Sequence, residues 1–370
     1  MTIVDITPLR VVGGFVIVKI KEVLYVMLLK KSVFAALLMW SLNSWALPAD
    51  IQAAKDEGMR LYGLGISVET IPYLEPAAEA GDVEAMYYLA EVHRLRNMGL
   101  TTEAMEWYLK AAEQGDPYAM LRLFQGGACI VGDRCPEGSD DWQEKGWREA
   151  ALEITQPKAE AGDPEAMLAM YYIYANLDTS WVTSVYNFLG IPTRASKWLK
   201  RAAEAGLPEA QNTWGRRIMG GRGWYFTKNR RLEAAESWFS RAAEQGYVPA
   251  MEQMERVNRE QEDFEASWQW MVQASDNGSY SNRFGLGWCY LDPSYPPDQR
   301  CINEEDPIKG WAILYALSHE LDGDNAPSSL MSRNQDKLDE SERQEAKALA
   351  EAEWIGRQPP LSRFPQRFGF

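Results

Sequence analysis

Four cysteines are the residues best placed for covalent chemistry. Cys129 and Cys135 form one C-x5-C pair, and Cys289 and Cys301 form a C-x11-C pair. Four cysteines allow three connectivities, and proximity favours Cys129–Cys135 and Cys289–Cys301. Each pair brackets a segment rich in Gly, Pro and Asp, and closing such a loop would contribute roughly 2–3 kcal/mol. A zinc site would need closer C-x2–4-C pairs with histidines nearby, but His93 and His319 fall in unrelated helical stretches. No metal or cofactor ligand set is therefore expected. With two histidines there is no Ser-His-Asp or Cys-His arrangement to assemble. No H-E-x-x-H, G-x-S-x-G or P-loop occurs. The one spacing that approaches Ser-x-x-Lys, Thr155-Gln156-Pro157-Lys158, carries a proline inside it. The carboxylates Glu79, Glu113, Glu160, Glu204 and Glu244 recur at equivalent positions of a repeating phrase, which is the pattern of solvated or capping groups. No catalytic residue follows, and the chain is expected to bind rather than to catalyse.

That repeating phrase defines the elements. Ala-Glu-x-Gly-Asp/Leu-x-x-Ala runs from Ala78 to Ala85, Ala112 to Ala119, Ala159 to Ala166 and Ala203 to Ala210. It recurs from Ala243 to Ala250, with a degraded copy around Gly278. Its glycines are 34, 47, 44, 40 and 32 residues apart, a spacing that signals stacked supersecondary units. Each copy reads as the joint between two helices. Glycine ends the first, because it takes the left-handed C′ conformation without strain. Asp then caps the second, and Pro follows where its missing N–H costs nothing. Upstream of the glycines lie Trp107-Tyr108, Trp198-Leu199 and Trp238-Phe239, and the same aromatic pattern returns at Trp311-Ala312. These tryptophans are expected in the core, with alanines letting helices approach.

These residues resemble Sel1-like repeats, relatives of the tetratricopeptide repeats. The Gly221-Arg222-Gly223 loop, followed by Asn229 and by Ala234 and Trp238, resembles the family's Gly-x-Gly loop and Lys-Ala-x-x-Trp phrase, with the spacing altered. The resemblance covers residues 49–354 and departs from the family pattern in three long inserts, 126–141, 178–191 and 291–305. It implies an all-α, right-handed superhelical solenoid of about seven helical hairpins. Turns are expected near Gly65, Gly99, 127–141, 178–192, 221–229, Gln261 and 292–305. A polar loop at 322–337 should lead to a capping helix at 338–354, with Ala346, Ala350 and Trp354 on one face. Residues 47–354 are thus the array. Residues 355–370 form a tail rich in Pro, Arg and Phe, expected either to pack in extended form or to serve as a contact segment.

Stacked hairpins present a concave face lined by their first helices. Tyr87, Tyr88, Tyr171, Tyr172 and Tyr174 are candidates to line it, with about half expected in the core. Tyrosine gives contact area at little entropic cost. Loop aromatics are stronger contact candidates: Trp181, Tyr186 and Phe188 in one insert, and Trp224, Tyr225 and Phe226 in another. The competing expectation for both sets is that they fold back over the array.

The formal charge is −15, which excludes binding nucleic acid by phosphate neutralisation and excludes an anionic membrane surface. Lys30 and Lys31, the apolar run Val33–Leu42 and the small residues before a cut after Ala46 read as a secretory signal over residues 1–46. Met27 is an alternative start that would give a signal of ordinary length. No cysteine near the cut offers a lipid attachment site. The mature chain is therefore expected in the periplasm, with oxidised cysteines and without stable membrane insertion. The resemblance implies a protein partner. The leading expectation is an immunity protein that occludes a toxic lipase or phospholipase effector of type VI secretion, because large inserts favour a dedicated partner. The alternative is an envelope scaffold. A more distant third is a β-lactam-binding or β-lactam-hydrolysing role, associated with some cysteine-rich relatives.

Overall fold

A computed structural model describes residues 47–125, 146–177, 191–293, 301–302, 304–321 and 325–368. Residues 1–46, expected to be a secretory signal, and Cys129, Cys135, Trp181, Tyr186 and Phe188 lie outside the described residues. Sixteen α-helices are described, and they pair in chain order. The hairpins are α1 (Ala49–Leu64) with α2 (Ser67–Glu79), α3 (Val83–Arg96) with α4 (Thr102–Glu113), and α5 (Pro117–Gln125) with α6 (Trp147–Glu160). They continue as α7 (Pro164–Leu177) with α8 (Arg194–Glu204), α9 (Pro208–Met219) with α10 (Lys228–Ala243), and α11 (Val248–Glu260) with α12 (Phe264–Asp276). The last is α13 (Tyr280–Leu291) with α14 (Pro307–Glu320), followed by α15 (Asn325–Arg333) and the cap α16 (Glu340–Glu353). From α2 to α14 each helix packs on the next, and α16 returns to pack on α14.

The joints follow from local chemistry. Gly81, Gly115, Gly162, Gly206, Gly246 and Gly278 sit at φ of 95, 91, 103, 97, 81 and 89°, where any side chain would be strained. The N–H of the residue after the glycine reaches back to an alanine carbonyl: Asp82 to Ala77 at 3.0 Å, Asp116 to Ala111 at 3.1 Å, Leu207 to Ala202 at 3.2 Å. Asp82, Asp116 and Asp163 then accept the N–H of Ala85, Ala119 and Ala166 at 2.8, 2.8 and 3.2 Å. One aspartate turn thus satisfies orphan donors of the new helix while the glycine satisfies orphan acceptors of the old one. The alanine pairs before four of these glycines, such as Ala77-Ala78, Ala111-Ala112 and Ala202-Ala203, are wholly buried. Backbones approach closest at the last hairpin. A Cβ on Gly310 of α14 would lie 2.8 Å from the Gly287 carbonyl oxygen of α13. Cys289 and Cys301 form a disulfide across the turn joining these helices, with Cα atoms 5.2 Å apart.

Two expectations require correction. Trp107, Trp198 and Trp238 are half-buried rather than core, and their neighbours Tyr108, Leu199 and Phe239 fill the interior. Each of these tryptophans stands at the edge of the buried stripe, one turn before a cation that covers its ring. Lys110, Arg201 and Arg241 lie 3.7, 4.2 and 4.7 Å from the three ring centroids. Trp311 alone of the four is buried. Within 322–337, where a loop was expected, α15 and a 3₁₀ turn at Gln335–Lys337 form. Pro327 falls in the first turn of α15, where helices tolerate it, and Leu330 and Met331 pack on the C-terminal core.

The array curves far enough for its ends to meet. Leu64 and Ile66, at the tip of the first hairpin, join the hydrophobic cluster of the last hairpins together with Leu361 of the tail. The C-terminal residues therefore run inside the curve. Ser362 pairs in a parallel bridge with Ser279, and the Arg363 N–H donates to the Gly63 carbonyl at 2.7 Å.

Candidate protein-binding surfaces

The first surface is built by the turn between α9 and α10. After Gly220, the N–H groups of Gly221 and Arg222 bond back to Ile218 and Arg217, and Thr227 caps α10 by accepting the Arg230 N–H at 3.2 Å. Between these two anchors the chain runs through Trp224, Tyr225 and Phe226, whose side chains alternate. Tyr225 turns inward onto the α9–α11 core. Trp224 and Phe226 project outward and are 82% and 92% exposed. Gly223 is required here, because a Cβ would lie 2.8 Å from the Tyr225 ring.

Beside this turn is a cavity of about 370 Å³ whose apolar wall is Ile191, Pro192, Trp214, Ile218 and Tyr225. Its rim carries Lys197, Lys200, Arg217 and Arg222. Arg217 donates to the Tyr171 hydroxyl at 3.4 Å, with its guanidinium 5.8 Å from the Tyr171 ring centroid. The structure thus brings together Tyr171, Trp224, Tyr225 and Phe226 from the sequence-based candidates. The cationic rim was missed. Lys197, Arg217 and Arg222 are unremarkable in sequence, and only the packing of α8 on α9 gathers them into one positive patch on an acidic chain.

The second surface is the concave face, and here Tyr87 needs correction. It is fully buried, so it offers no open contact surface. What covers it is the tail: the Tyr87 hydroxyl donates to the Arg367 carbonyl at 2.5 Å. Arg367 also reaches Asp116, Nη2 to Oδ2 at 2.5 Å, while Asp116 caps α5. Phe368 packs against Tyr118 and Tyr172, ring centroids 5.8 and 5.2 Å apart, with the Arg122 guanidinium 4.4 Å above its ring. Arg122 is itself held by Glu91, at 2.6 Å, in a buried network with Arg94 and Tyr108.

Carboxylates collect along this face. Burial raises the Asp116 and Glu165 carboxyls above their ordinary values, and Arg367 draws both back down. Glu209 is pushed up to about 7 by burial and by Glu165, against Arg367 and a hydrogen bond from Tyr172. Its Oε1 is buried and has no hydrogen-bond partner. Tyr88 is half-buried at the edge of the groove, and Tyr174 lies 5.9 Å below the Arg194 guanidinium. Among the described residues no cluster of His, Cys, Asp and Glu could hold a metal ion, and no helix is long and apolar enough to cross a membrane.

Comparison with known proteins finds the Sel1 repeat at residues 83–116, 192–207 and 208–247. No curated protein matches the chain. Among solved structures, similarity extends to a protective antigen of uropathogenic Escherichia coli strains that displays an SLR fold. The identity is 20% and the TM-score 0.43, covering 82% of this chain and 61% of that one, so this chain spans less than two thirds of its length. A Sel1 repeat protein from Oxalobacter formigenes is 21% identical with a TM-score of 0.35, covering 81% and 88% of the two chains. An immunity protein from Pseudomonas aeruginosa is 19% identical with a TM-score of 0.41, covering 75% and 84%.

Proposed function

We propose that this chain, a Sel1-like repeat protein, is exported and binds one dedicated protein through the α9–α10 turn, inhibiting that partner by covering its active site. The observation that carries the reading is the pair Trp224 and Phe226, held outward by a braced turn beside an apolar cavity with a cationic rim. Large exposed aromatics over a pocket are the composition of interface anchors, whereas folding alone would drive such side chains inward. Ile191, the last residue of the 178–191 insert, and Pro192 just after it line the same cavity. A cationic rim fits a partner surface bearing carboxylates, and would orient the encounter although the whole chain is acidic.

A solenoid acts on a partner by occupying its surface. The finer proposal is that the partner is a toxic lipase or phospholipase delivered into the periplasm, and that the chain is its immunity factor. The signal-like residues 1–46 and the pairing of Cys289 with Cys301 support an oxidising compartment.

The test uses the product of any adjacent lipase-like gene. Purified chain should abolish its hydrolysis of phospholipid vesicles at a 1:1 ratio, and the Trp224→Ala/Phe226→Ala variant should not. A complex that leaves the lipase fully active would replace inhibition with a scaffolding role. N-terminal sequencing of the periplasmic protein should begin at Leu47, and retention of Met1 or Met27 would contradict export with cleavage.

A further inference from the structure

The concave face is occupied, and its occupant has a definite chemistry. The tail is anchored at its root by backbone pairing. Tyr280 N–H donates to the Ser362 carbonyl at 3.1 Å, and Ser362 N–H donates to Gly278 at 2.9 Å. A Cβ at Gly278 would meet the Pro360 carbonyl oxygen at 2.5 Å, so the root needs glycine there. Beyond Phe364 the contacts change character. They are made by side chains, and each has a matching receptor. The Arg367 guanidinium enters between Asp116 and the rings of Tyr118 and Tyr87, whose centroids are 4.7 and 5.4 Å away. The Phe368 ring enters a slot formed by Tyr118, Tyr172 and Arg122. A tyrosine hydroxyl reads the backbone carbonyl between them.

The groove also extends beyond the described tail residues. A cavity of about 560 Å³ continues beside Gln366 and Arg367, past Glu165 and Glu209 to Tyr247 and Pro249. Asp116, Glu165 and Glu209 all feel Arg367, and Arg367 is the tail's single cation at this end. The buried Oε1 of Glu209, without a hydrogen-bond partner, belongs to this unfilled stretch.

We propose that the concave groove along α3, α5, α7 and α9 recognises an extended protein segment carrying an arginine followed by an aromatic residue. The chain's own Arg367–Phe368 holds this site in cis. An incoming segment displaces Arg367–Phe368 and places a further basic side chain against Glu165 and Glu209. The root at Ser362 stays in place during the exchange, since its contacts lie on the first and last hairpins rather than in the groove. Tethering only five residues from Arg367 gives the tail an effective concentration on the order of millimolar. A segment offering Arg-Phe alone therefore competes poorly, and a successful ligand must also use the unfilled carboxylates. This site is separate from the α9–α10 turn, and either can fail without the other.

The probe is a fluorescent peptide with the sequence of residues 359–370 preceded by two lysines, measured by anisotropy against the full chain. Wild type should bind it weakly. Arg367→Ala/Phe368→Ala, with the cis occupant weakened, should bind at least about tenfold more tightly. Adding Asp116→Asn, which keeps a capping side chain on α5, should remove that gain. A folded double variant that binds no better than wild type, or binds equally well with Asp116→Asn, overturns the proposal. Should the double variant fail to fold, wild type carrying a protease site at residues 356–359 is cut after folding. The freed tail should then exchange with excess labelled peptide while the array keeps its helical signal. A cut tail that never exchanges, or an array that unfolds on cutting, shows a structural strap and overturns the proposal.

Discussion

Replacing Glu209 by glutamine tests the electrostatics of the concave face directly. In the folded chain this carboxyl titrates near 7, because burial and Glu165 disfavour its charge more than Arg367 and Tyr172 favour it. In the unfolded chain it returns to its ordinary value of 4.5. Between those two values the native state holds a proton that the unfolded state has lost. Stability must therefore fall as pH rises through this window, and level off above about 7. At about 1.4 kcal/mol per tenfold change, the full effect is roughly 3 kcal/mol, and water reaching the groove brings it to about 1–3. The Glu209→Gln side chain would carry no charge at any pH. The variant should lead wild type by about a quarter of that margin at pH 5 and by the whole of it at pH 8. Urea unfolding at pH 5, 6, 7 and 8, with an unchanged slope on denaturant, measures the difference. Asp116, Glu165 and Glu252 are also raised and contribute a background of the same sign, which the comparison cancels. Parallel curves for the two proteins, or a variant less stable at pH 8, would refute the reasoning.

Three further outcomes are expected. Glu91 is 2% exposed and accepts from Arg122, Arg94 and Tyr108 at 2.6, 2.6 and 2.7 Å, so Glu91→Ala strands buried cations and should cost about 3–5 kcal/mol in chemical unfolding. Trp224→Ala/Phe226→Ala should leave the melting temperature within a degree or two of wild type, because both side chains are exposed, while weakening partner binding at least tenfold by about 1.5 kcal/mol or more. Cys289→Ser should lower stability by about 3 kcal/mol, as expected for a closed loop of this length, and the loss should vanish when wild type is measured in reductant.

The residues that make the repeat were legible from sequence alone. A joint glycine, followed by a capping aspartate at three of the six joints and by a proline within three residues at four, dictates a helix joint through bonds spanning five or six residues, so the joints could be located without knowing what surrounded them. The Ala-Ala pairs declared close helix approach for the same reason, and the short spacing of Cys289 and Cys301 limited their choice of partner. The disposition of aromatics was decided elsewhere. Trp198 and Leu199 are equally apolar neighbours, and which one faces the core depends on where the next helix lies. Trp224 and Tyr225 are adjacent in one loop, and only the position of the α9–α11 core turns one outward and the other inward. The burial of Tyr87 depends on still more distant events. It requires Arg367, 280 residues away, to arrive on the concave face, and that depends on Gly63 coming alongside Arg363. Nothing local specifies that meeting. It is the sum of small rotations from one hairpin to the next, each set by side-chain packing between helices, and it exists only once the whole array has curved.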